Sequence, residues 1–153
     1  MFRVATSVKF LNDVLLECTF NDGMIYQYDI SKLFKRFPQF EELRKNRVLF
    51  LSGKVGLNGY CIYWNDDLDI DSAEIYENGT LVDQFEIPLN KKIGIALFNA
   101  RIEAWMSQKQ LAEKSGINQA DISRIEKGSG NPTLKKIVTL FNALGKSLEI
   151  NVK

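Results

Sequence analysis

The sequence predicts an α+β protein, with a small sheet-bearing N-terminal part followed by an all-α part that ends in a short strand. Three observations predict it. Up to residue 90 the apolar residues alternate or sit in β-branched runs, and from Lys91 to Gly145 their period becomes helical. Charge changes sign at the same place. Residues 1–90 carry 9 Lys/Arg against 14 Asp/Glu, a balance of −5, and residues 91–153 carry 11 against 5, a balance of +6. Helix starts and stops also crowd the second part: Ser107, Gly116, Asn118, Gly128 and Gly145.

In the first part, RVATSVKF and DVLLECTF read as strands. Asn21-Asp22-Gly23 is the turn into a third, MIYQYDI. Ser31 reads as the cap of a helical SKLFKRF that Pro38 stops, and QFEELRK adds a helical turn or two. VLFLSGKVGLNGYCIYW reads as two strands joined around Leu57-Asn58-Gly59. In DDLDIDSAEIYEN, residues 66–78, Asp67, Asp69 and Asp71 have the spacing of a calcium loop. Ser72, however, stands where the turn Gly belongs and Asn78 where the bidentate Glu belongs. Leu68 and Ile70 alternate with the carboxylates, so an exposed strand edge or loop is the better reading. ENGTLVDQFEIPL, 77–89, reads as a connector. The domains expected are therefore 1–80 and 91–153, with a linker at 81–90.

The second part opens with a helix, IGIALFNARIEAWM. Ser107 precedes QKQLAEK and has Gln110 three places on, the capping-box spacing. Gly116 supplies the positive φ of a tight inter-helix turn. Asn118 caps the next helix, with Ile122 and Ile125 inward and Gln119, Ala120, Ser123 and Arg124 outward. TLKKIVTLFNALG is the last helix, with Leu134, Ile137, Val138, Phe141 and Leu144 expected on one face.

Composition narrows the function. The chain has no His, which removes the commonest general base and metal ligand. Cys18 and Cys61 lack metal or redox spacing and read as small apolar residues in a reducing, cytoplasmic setting. No apolar run approaches the roughly 18 residues that would span a membrane, and the start lacks the apolar core of a secretory signal. No catalytic constellation, metal site or cofactor motif emerges.

Gln108, Leu111-Ala112, Gly116, Ile122-Ser123, Ile125-Glu126, Gly128, Pro132 and Ala143-Leu144-Gly145 stand at fixed spacings. Through them residues 93–145 resemble the phage-repressor type of helix-turn-helix, the Cro and XRE group. The resemblance implies that 118–127 is a recognition helix in the major groove of double-stranded DNA. Gln119, Ala120, Ser123 and Arg124 would address base edges. Gln108, Asn118, Asn131 and Thr133 would sit against phosphates at helix N-termini. Lys127 joins the phosphate set, although a solvated charged face is its alternative, as for Lys135 and Lys136. Asp121 suits the helix dipole yet brings negative charge near the groove. The resemblance further implies an ion pair between Arg101 and Glu126.

LLECTFNDGMIYQYDISKLF, FEELRKNRVLFLSG and YCIYWNDDLDIDSAEIYENG are similar to an α+β family called domain of unknown function 2442, over residues 1–80. NDD follows Trp64 where that family tends to have Pro and Gly. The two resemblances together imply a transcriptional regulator of the repressor kind, with an N-terminal sensing or partner-binding domain. Its specific version is an antitoxin that represses its own operon and has a small toxin protein as partner. The competing expectation is a protein-interaction module whose helix-turn-helix serves dimerisation and not DNA reading. KSLEINVK alternates Leu148, Ile150 and Val152 with polar residues, an edge strand expected to pair in a homodimer through 146–152 or to dock on the N-terminal sheet.

Overall fold

The computed structural model describes residues 3–149, which fall into two compact units, one up to Glu86 and one from Ile87. In the first unit, β1 (Ala5–Phe10), β2 (Leu15–Phe20), β3 (Met24–Asp29) and β7 (Thr80–Gln84) form an antiparallel sheet in the order β1-β2-β3-β7. Strand β2 shows the period of two that the sequence carries. Leu16, Cys18 and Phe20 are buried, and the residues between them are only half-buried. Gly23, at φ 89°, closes the β2–β3 turn. A second sheet holds β4 (Lys54–Val55), β5 (Cys61–Asn65) and β6 (Leu68–Asp71). Short helices α1 (Glu41–Lys45), α2 (Arg47–Leu51) and α3 (Ser72–Asn78) complete the unit.

Local capping overrides several expectations. The helix expected after Ser31 is a 3-10 turn, Ile30–Leu33, capped by Asp29, whose carboxylate accepts the Ser31 N–H at 2.8 Å. Of the strand expected from Val48 only β4 is strand, antiparallel to β5 across Leu57–Gly59, and its first part is helix α2. Asn46 caps it by accepting the Leu49 N–H at 3.0 Å, and of its apolar run Phe50 is buried while Val48 is 81% exposed. Residues 66–78 keep to the strand-edge reading: β6 is an edge strand of the second sheet, with Asp69 and Asp71 exposed. Leu68 and Ile70 of β6 point into the core, and Asp71 caps α3 through the Ala73 N–H at 2.7 Å. Among the described residues no group of His, Cys, Asp and Glu is arranged to hold a metal ion.

The linker expected at 81–90 is also corrected. Its first residues belong to β7, which pairs with β3, and Leu89 already begins a helix. Every side chain of β7 is exposed, so the strand has no alternation to reveal it; backbone pairing to a distant segment makes it.

Among its described residues the second unit has four helices, α4 (Leu89–Glu103), α5 (Gln108–Ser115), α6 (Gln119–Glu126) and α7 (Leu134–Ala143). Their core is aliphatic: Leu97, Leu111, Ile122, Ile125, Ile137, Leu140 and Leu144 are buried with Phe141. The inward stripe of α7 runs 137, 140, 141, 144, a helical i, i+3, i+4, i+7 set. That rotation leaves Leu134 and Val138 exposed, against the expectation that they face inward. Gly94 is buried where α4 crosses the end of α6. A Cβ there would collide with the Ile125 carbonyl and lie 2.7 Å from that of Glu126. Lys146–Glu149 are not in a strand, and the rest of the expected terminal strand, with Ile150 and Val152, lies outside the described residues. Among the described residues no helix is long and apolar enough to cross a membrane.

Candidate nucleic-acid interface

Helices α5 and α6 and the turn between them are fixed by local hydrogen bonds. Ser107 Oγ accepts the Gln110 N–H at 3.1 Å, and Gln110 Oε1 accepts the Ser107 N–H at 2.8 Å, closing the capping box. Gly116 ends α5 at φ 72°, a conformation that costs an ordinary L-residue about 1 kcal/mol or more. Asn118 Oδ1 then accepts the Ala120 N–H at 2.8 Å and starts α6. With Ile122 and Ile125 buried, the opposite face of α6 is left to Gln119, Ala120 and Arg124, all exposed, and to the half-buried Ser123.

Beneath that face lies a buried charge network. Arg101 Nε donates to Glu126 Oε1 at 2.6 Å, and Arg101 Nη2 to Glu126 Oε2 at 2.9 Å, a bidentate geometry. The two side chains are only 8% and 5% exposed. Arg101 Nη1 also donates to the Met106 carbonyl at 2.8 Å, and Gln108 Nε2 to Glu126 Oε2 at 2.8 Å. Three donors thus tie the end of α6 to α4 and to the first residue of α5, and a fourth ties Arg101 to the α4–α5 turn. Gln108, which the family pattern assigns to phosphate, therefore has its side-chain amide turned inward. Sequence spacing could not reveal this, because the acceptor lies 18 residues away.

Outside, Asp121 of α6 accepts from Lys136 Nζ of α7 at 2.7 Å and lies 3.8 Å from Arg124 Nη1. The Lys136 hydrogen bond, and then its charge, hold the Asp121 carboxyl below its ordinary range, with Arg124 adding to the effect. The carboxylate that looked out of place near a groove is thereby neutralised by its neighbours. Thr133 Oγ1 accepts the Lys136 N–H at 3.3 Å as the cap of α7, and Asn131 and Lys127 are exposed. From Ile87 onward the chain carries 11 Lys/Arg and 5 Asp/Glu, an excess of six positive charges. Three of the five carboxylates, Glu103, Asp121 and Glu126, are paired with cations inside the unit. The chemistry on offer is thus amide and guanidinium donors on one helix face in a positive field. In the other unit, burial pushes the Cys18 thiol up to about 12, so it stays protonated at neutral pH.

Comparison with known proteins agrees in both units. Residues 97–151 match the family model for the helix-turn-helix, and residues 5–80 match that of a protein of unknown function, DUF2442. An uncharacterised HTH-type transcriptional regulator of Haemophilus influenzae is 46% identical over 54 residues, which is 35% of this chain. The chain spans about half the length of that relative, 55%. A solved structure, of a proposed DNA-binding protein of Nitrosomonas europaea, aligns with 92% of this chain and 85% of its own, at 13% identity and a TM-score of 0.45. A likeness so slight carries no argument.

Proposed function

We propose that this chain is a sequence-specific DNA-binding transcriptional regulator, a repressor that places α6 in the major groove. One observation carries the reading. Gln119, Ala120, Ser123 and Arg124 form an outward face on a helix whose inner side is locked by Ile122, Ile125 and the buried Arg101–Glu126 pair. The positive excess of the unit supplies attraction for phosphate that no sequence preference needs. The helix-turn-helix match over 97–151 supports the same reading.

In this proposal Arg124 and Gln119 read base edges, since guanidinium and amide groups can contact guanine and adenine in bidentate fashion. Asn118, Asn131, Thr133 and Lys127 position the duplex, and Gln108 does so with whatever donor capacity Glu126 leaves it. The first unit binds a partner or signal. The specific form is a cytoplasmic antitoxin that binds a small toxin protein and represses the operon encoding both, acting as a homodimer. Selection from random duplexes with the full chain tests the core of this. A near-palindrome with half-site centres about 10 base pairs apart is expected, and recovery of no preferred sequence would sink it.

One feature favours the interaction-module reading. An apolar groove of about 610 Å³ runs past Leu89, Ile93, Leu134, Ile137 and Leu148 on this unit. A chain that dimerises in solution but selects no DNA would make that reading the right one.

A further inference from the structure

Trp105 occupies the turn between α4 and α5, at φ 55°. Among the described residues only Asn58 shares a positive φ without being glycine. An aromatic L-residue is strained there, and the position is one that glycine would fill without cost. The turn itself does not need the side chain. The Trp105 N–H donates to the Ile102 carbonyl at 2.9 Å and the Met106 N–H to that of Arg101 at 3.1 Å, both backbone bonds that glycine would make equally well. Nor does the core need it, because Trp105 is 93% exposed. The chain therefore holds one of its two tryptophans in a strained conformation, almost wholly in water, two residues before the cap of α5.

We propose that Trp105 is a contact for the sugar–phosphate backbone of duplex DNA, beside the half-site that α6 reads. The inference rests on the proposed function. The α5 start that follows Trp105 is tied to the inner end of α6 by Gln108 and Glu126, so the turn and the reading helix are presented as one body. The surrounding unit carries the excess of six positive charges, which selects an anionic partner. An indole matches a nucleic-acid backbone in two ways: its face covers the apolar edge of a deoxyribose, and its N–H, a donor only, suits a phosphate oxygen. The contact reads no base and so does not depend on the operator.

The chain has two tryptophans, and Trp64 is buried with its N–H on the Phe50 carbonyl at 2.8 Å. Acrylamide quenching of the full chain therefore reports Trp105. A mixed-sequence duplex at low salt, labelled so that its anisotropy reports binding, is the probe. The expected result is that bound duplex shields the quenchable tryptophan, and that Trp105→Ala weakens binding about fivefold on every sequence. Trp105→Gly separates this role from a structural one: it should melt at or above the parent while losing the same affinity. If duplex binds but Trp105 stays as quenchable as in the free protein, or Trp105→Gly binds as well as the parent, the assignment is wrong and the function stands. Shielding that appears with protein concentration alone would make Trp105 a protein contact, again overturning it. Absence of duplex binding by the parent would overturn the function itself.

Discussion

The two units solve the problem of buried polarity in opposite ways. The first packs rings: Phe50 and Trp64 lie nearly parallel with centroids 6.4 Å apart, and Phe10 meets Phe50 edge-on at 4.8 Å. Its buried polar groups are neutral, and each finds a partner inside, as Trp64 does on Phe50 and as Ser72 Oγ does on the Gly59 carbonyl at 2.7 Å. The second has an aliphatic core and buries a full ion pair instead. A buried pair is poor value as a stabiliser, since desolvation offsets much of its attraction. It does, however, demand one geometry. Here that geometry ties the end of α6 to α4, and the Gln108 amide adds a tie to the start of α5. The first unit uses polarity to complete its fold, and the second uses it to lock three helices to one another.

Breaking each arrangement should expose the difference. Glu126→Gln strands the Arg101 cation and should cost on the order of 3–5 kcal/mol by thermal melting. Replacing both partners, Arg101→Met with Glu126→Leu, should recover most of that stability yet leave duplex selectivity impaired, because the aim of α6 is lost. A double variant as selective as the parent would show that packing alone orients the helix. Phe50→Ala in the first unit should also cost about 3–5 kcal/mol, through the cavity left beside Trp64. Its operator preference, measured below the melting point, should be unchanged.

A smaller effect belongs to the outward face. Arg124→Ala removes a bidentate donor and should cost about 1–3 kcal/mol on the preferred site, relaxing preference at one base pair per half-site. Binding to single-base operator variants at one salt concentration measures it. Equal losses at every variant would place Arg124 on the backbone.

The second unit was legible because its signals are local. Ser107 with Gln110, Gly116, Asn118 and Thr133 each act within four residues, and a fixed set of such residues carries the family pattern. What stayed hidden there depends on distance in sequence: the Gln108 bond to Glu126, the Lys136 bond to Asp121, and the rotation of α7 that exposes Leu134. The first unit was less legible for the same reason. Nothing between Val48 and Leu51 separates a helix from a strand except the Asn46 cap, and β7 has no buried side chain at all. Trp105 was in plain view, but its strain and exposure exist only in three dimensions.

The smallest effect concerns Asp121, where the outward face borrows a neutralising partner from α7. The Lys136 hydrogen bond, more than the Arg124 charge, lowers the folded-state carboxyl pKa below the ordinary Asp value of about 3.9. A lowered folded pKa means that the stabilisation is fully present above the unfolded value and is lost as pH falls through the folded one. Nothing should therefore change between neutrality and about pH 5, and the loss should be confined to the acid side of the ordinary carboxylate range. The site is open to water, so salt should shrink the effect further. A carboxyl titration by NMR should give a midpoint below that of an unperturbed Asp, and Lys136→Met should move it upward. Removing Arg124 should move it less. If Lys136→Met leaves the midpoint where it was, the α6–α7 contact does not hold Asp121 in solution, and that carboxylate would face an incoming phosphate unmasked.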